Sequence, residues 1–105
     1  KVATLIGTVY NESPSTVTAT LKNCDVNNVT VKAVTYDFCT TGMVAFVHAQ
    51  DNDTIAFENC TVTNVKLMAP NDSYKAHAAI YATDSETLYN EAAGVTVTNV
   101  TFEAL

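Results

Sequence analysis

The chain has 105 residues, 48% of them apolar and 15% charged, with three glycines and two prolines, which suits one domain with a real core and excludes a low-complexity chain. Its net charge is −6, from eleven acids against five lysines and no arginine. That balance excludes nucleic acid as a partner, because phosphates need cations to replace their counterions, and no apolar run approaches the roughly 18–20 residues of a membrane span.

Val and Thr recur throughout, and both suit a pleated, half-buried surface. The fold class read from them is all-β. In chain order the first predicted element is the short phrase "ATLIGT" (3–8), two bulky apolars between small residues. A polar loop follows, then "LKNCDVNNVTV" (21–31). Cys24 and Val26 alternate with Asp25, as a half-buried strand requires. Leu21 fits this alternation with neither neighbour. Further on the phase slips: Val29 and Val31 alternate with Thr30, out of step with Val26. A phase change inside a strand implies a bend or bulge. The intervening pair is Asn27–Asn28, and asparagine is the non-glycine residue that best tolerates a left-handed backbone.

The same two phrases return twice. "VAFVHA" (44–49) precedes "FENCTVTNVKL" (57–67), thirty-six residues after its first counterpart, with the slip at Thr63–Asn64. "AAIYAT" (78–83) precedes "AGVTVTNVTF" (93–102), thirty-five residues later again, with the slip at Thr98–Asn99. Periods of 20–50 residues mark solenoids. Two short strands meeting at an asparagine corner, with a third from the short phrase, describe one coil of a parallel β-helix.

The predicted architecture is therefore a short right-handed parallel β-helix of about three coils. It occupies residues 1–105 as a single domain, with repeats over about 1–41, 42–76 and 77–105. Paired strands lie about 4.8 Å apart, which places Asn28, Asn64 and Asn99 in one column as a structural ladder. The predicted inward columns are Cys24/Cys60/Val95, Val26/Val62/Val97, Val29/Val65/Val100 and Val31/Leu67/Phe102. An immunoglobulin-like β-sandwich is the alternative, since about seven short strands in roughly 100 residues fit it too.

The phrase "TLIGTV", followed by a loop and "ATLKNCDVNNVTV", resembles the GLUG-type repeats of bacterial secreted and cell-surface proteins, over most of the chain. The resemblance implies a β-helical stack within a large adhesin-like or protease-bearing surface protein. The second and third rounds carry "AFVHA" and "AIYAT" where that pattern has an apolar-Gly phrase. "ENC" and "TNV" are also similar to phrases of pectate-lyase-like right-handed β-helices.

Candidate chemistry is sparse. Cys24, Cys39 and Cys60 include no close C-x-x-C pair, so they read as small buried hydrophobes; a Cys24–Cys60 disulfide is the alternative in an oxidising compartment. N-x-[ST] sequons start at Asn11, Asn28, Asn52, Asn59, Asn71 and Asn99, and matter only in a eukaryotic secretory protein. His48 and His77 lie near Asp51, Asp53 and Asp84 in sequence, at spacings that match no ligand motif. The acidic loops "QDNDT" (50–54) and "TDSET" (83–87) lack the full calcium-loop pattern. No metal, cofactor or catalytic residue is assigned. Tyrosine has an apolar face and a polar tip that suit sugar stacking, and Tyr10, Tyr36, Tyr74 and Tyr89, with Phe38, fall between the strand phrases. Those four tyrosines are the candidate ligand-binding residues.

These features predict a non-catalytic structural or adhesive module of a bacterial secreted or cell-surface protein, and a segment of a longer chain. Its expected partners are a glycan or host surface protein, and neighbouring repeats or other copies through the open ends of the stack. A fragment of a β-helical polysaccharide lyase or glycoside hydrolase is the alternative, against which the missing arginine stands.

Overall fold

The computed structural model describes residues 3–10, 16–33, 40–47, 53–69, 77–83 and 87–105. They form ten strands: β1 (Thr18–Lys22), β2 (Asp25–Lys32), β3 (Thr40–Thr41), β4 (Val44–Val47), β5 (Thr54–Glu58), β6 (Cys60–Ala69), β7 (His77–Ala78), β8 (Tyr81–Thr83), β9 (Leu88–Tyr89) and β10 (Val95–Ala104). The protein is all-β, and among the described residues no helix is long and apolar enough to cross a membrane.

Pairing is parallel almost throughout. β1 pairs with β5, β3 with β7, β4 with β8, and β6 lies between β2 and β10. Within the central sheet Val26, Val62 and Val97 share one column, and Val31, Leu67 and Phe102 another. Antiparallel pairing is confined, among these strands, to β8 with β9. An immunoglobulin-like sandwich is built from antiparallel sheets, so the parallel pairing sets that alternative aside. The strand expected over 3–8 is reduced to isolated parallel bridges, Ile6 with Val44 and Val9 with Val47.

Left-handed residues shape the long strands. Asn28, Asn64 and Asn99 have φ of 59°, 53° and 54°. They do not divide the phrase into two strands: pairing continues on both sides, from Asn27↔Thr63 to Val29↔Val65. A single left-handed residue inverts the alternation of side chains, so Val26 and Val31, five apart, are both buried. A second left-handed column, Asn23, Asn59 and Gly94, separates β1 from β2 and β5 from β6. In that column Gly94 has φ 83°, and a Cβ there would stand 2.0 Å from the Phe57 carbonyl oxygen. Only glycine fits so close an approach.

The core gathers Leu21, Val26, Val31, Met43, Val44, Val47, Phe57, Cys60, Val62, Val65, Leu67 and Ile80. Cys24 and Cys60 are both free thiols, which corrects the disulfide alternative. Cys60 is buried, and its Sγ donates to the carbonyl oxygens of Leu21 and Glu58 at 3.4 Å. Phe102, expected to point inward, is 48% exposed. It lies on β10, which among the described residues has a neighbouring strand on one side only.

Candidate functional site

The two sheet edges that flank β5 and β8 leave a hollow of about 370 Å³. Ile55, Ala56 and Phe57 of β5, Tyr81 of β8, Tyr89 of β9, and Glu91, Ala92 and Ala93 line it. Its origin is local. β5 pairs with β1 and, among the described residues, has no third strand beside it. The later segment pairs with β8 instead: the Thr83 amide donates to the Thr87 carbonyl and the Ile80 amide to the Tyr89 carbonyl, both at 3.0 Å. The Ala79 amide is taken by Asn90 Oδ1 at 2.8 Å. β9 is thereby set antiparallel to β8.

Aromatic rings dominate the hollow. Tyr81 and Tyr89 stack with centroids 4.3 Å apart and planes 7° from parallel, and Phe57 is tilted against Tyr81 at 5.9 Å. Burial pushes the Tyr81 hydroxyl above its ordinary pKa, helped by the neighbouring Tyr89 hydroxyl. Tyr81 therefore stays neutral through the physiological range. Among the described residues of the lining, Glu91 is the one carboxylate, and it is exposed. Neutral aromatic faces, hydroxyl tips and a solvated acid can hold a ring with apolar faces and polar edges, as a sugar has.

Of the four sequence-predicted ligand tyrosines, Tyr10 and Tyr89 lie among the described residues. Tyr89 lies in the hollow, on β9 rather than in a loop. Tyr10 is exposed, and Tyr36, Tyr74 and Phe38 lie outside the described residues. So do His48, Asp51, Asp84 and Cys39. His77 stacks on Phe102, centroids 5.3 Å apart, and burial holds its pKa below the ordinary 6.5. Asp53 is 2% exposed, and among the described residues neither of its carboxylate oxygens has a hydrogen-bond partner. No group of three His, Cys, Asp or Glu among the described residues converges to hold a metal ion.

A second polar feature runs along the central sheet. Asn99 Nδ2 donates to Asn64 Oδ1 at 2.7 Å, and Asn64 Nδ2 donates to Asn28 Oδ1 at 3.1 Å. Asn59 Nδ2 donates to Asn23 Oδ1 at 2.9 Å in the other left-handed column. Thr61 donates to Asp25 between β6 and β2. A shallow hollow of about 160 Å³ sits on this face, lined by Asn64, Val65, Lys66, Asn99 and Thr101. Tyr81 and Phe57 were missed by sequence reading, since each looks like an ordinary inward strand residue. Compared with known proteins, the chain matches no family model, no curated protein and no solved structure.

Proposed function

We propose that the chain is a non-catalytic structural or adhesive module of a bacterial secreted or cell-surface protein. In this reading it is a short right-handed parallel β-helix of about three coils, extended by neighbouring repeats or other copies at its ends. The observation that supports it most is the parallel register at a near-constant step, Leu21↔Phe57 in one sheet and Val26↔Val62↔Val97 in another. A stack of equivalent coils requires such a step. The aromatic hollow is the place where the module engages a glycan or a surface protein, with Tyr89 as the stacking ring.

A screen against neutral and acidic polysaccharides, reading both binding and new reducing ends, tests the proposal. Binding without turnover is expected, weakened roughly five- to tenfold by Tyr89→Ala, the worth of one stacked ring. Release of reducing ends or unsaturated products would sink the non-catalytic reading in favour of a lyase or hydrolase fragment.

A further inference from the structure

We propose that β10 takes the β2 strand of a second copy of this chain, in parallel, so that copies join head to tail. The inference deepens the reading of the chain as a stackable module and rests on it. It starts from the direction of the amide ladder. Each asparagine donates its Nδ2 to the Oδ1 of the one before, Asn99 to Asn64 to Asn28. Among the described residues, Asn99 Oδ1 at one end accepts nothing and Asn28 Nδ2 at the other donates to nothing. A donor end and an acceptor end are complementary to each other and not to themselves. Head-to-tail contact satisfies both, whereas a two-fold contact through β10 brings two acceptors together.

Placing Asn28 of a second copy opposite Asn99 fixes every other column by the register already present. Lys32, Met68 and Glu103 form one column, so Lys32 of the second copy falls opposite Glu103. Lys32 has no ion pair among the described residues, while Glu103 reaches Lys66 at 3.5 Å and is 45% exposed. Asp25, Thr61 and Thr96 form another column. There the junction repeats the hydrogen bond that Thr61 already donates to Asp25, with Thr96 as the donor. Val31, Leu67 and Phe102 form the apolar column, and most of the apolar surface newly covered belongs to Phe102, 48% exposed against 4% for Val31. An amide pair, a charge pair, a hydroxyl–carboxylate pair and a backbone edge thus coincide in one register. Opposite charges placed directly across paired strands attract, and like charges there repel. Because a head-to-tail contact does not close, it propagates into an open series.

Sedimentation velocity on the full chain over a wide concentration range is the experiment, with Lys32→Glu and Glu103→Lys as variants. The expected result is a concentration-dependent series for the native chain and association roughly tenfold weaker for each variant alone. Mixing the two variants is expected to restore the series, since every mixed junction brings opposite charges together. Both sites are exposed, so folding tolerates the changes. Amide hydrogen exchange of β6, recorded alongside, separates the failures. A monomer at all concentrations with β6 protected overturns the junction and leaves the module reading standing. Loss of β6 protection in the native chain sinks both. Association that ignores Lys32→Glu, or that mixing fails to restore, overturns the proposed register.

Discussion

Val31 and Phe102 stand in one column on either side of Leu67, yet Val31 and Leu67 are buried and Phe102 is 48% exposed. The bulkiest apolar residue of the three is the least covered. Pairing alone does not account for it: among the described residues β6 has a strand on each side, while β2 and β10 each have one. What differs is the end of the stack, since Val31 on β2 is covered and Phe102 on β10 is not. The same gradient runs through the neighbouring columns: Cys60, Val62 and Val65 are buried, whereas Val95, Val97 and Val100 are half-buried. The lesson is that hydrophobic periodicity reports which way a residue points, while its place in the stack decides how much water is removed from it.

The largest expected effect tests that lesson directly. Leu67→Ala removes a fully buried side chain from between two others and is expected to destabilise by about 2–5 kcal/mol. Phe102→Ala deletes a larger side chain that is half in water already, and is expected to cost roughly 1 kcal/mol. Urea unfolding of both variants checks the pair. Equal losses would break the comparison, and would place Phe102 in a core that its exposure does not indicate.

The next effect is expected at the asparagines. Asn64 takes part in two amide hydrogen bonds and Asn28 in one, and both hold a left-handed backbone. An amide bond contributes about 1 kcal/mol net, and a left-handed backbone costs alanine about 1–2 kcal/mol. Asn64→Ala is therefore expected to lose about 3–4 kcal/mol, and Asn28→Ala about 1 kcal/mol less. Asn64→Gly, which keeps the backbone free to turn, sharpens the test: thermal unfolding should recover the conformational part and leave the amide loss.

How much of this was legible follows from where the signals lie. The slip from Val26 to Val29 is a violation of strand period, and a left-handed residue is the cheapest way to make one; hence Asn28, Asn64 and Asn99 could be read from the sequence. The second column, Asn23 and Asn59, left a fainter trace. Leu21 and Cys24 both face the core side, three residues apart, so the failure of Leu21 to fit the alternation was the mark of a turn at Asn23. The hollow could not be read, because Tyr81 and Tyr89 meet through the antiparallel pairing of β8 with β9, held by the Thr83 amide on the Thr87 carbonyl. Neither residue type announces it. Phe102 misled for the reason already given: its phase points inward, and the phase carries no information about what lies beyond β10.

The smallest expected effect sits at that same exposed end. His77 packs its ring on Phe102, and burial holds its pKa below 6.5. As pH falls through 6.5, the unfolded chain takes a proton first, while the folded chain resists until the lower value is reached. Between the two the unfolded state binds more protons, so stability falls on acidification across that window and is retained above it. Phe102→Ala uncovers the imidazole and should move its pKa back toward 6.5, flattening this part of the pH dependence. An NMR titration of the His77 ring protons reads the shift without reference to global stability. A His77 pKa that stays put in Phe102→Ala would mean that the covering comes from elsewhere. A further depression as concentration rises would mean that a second copy covers β10, as the proposed junction requires.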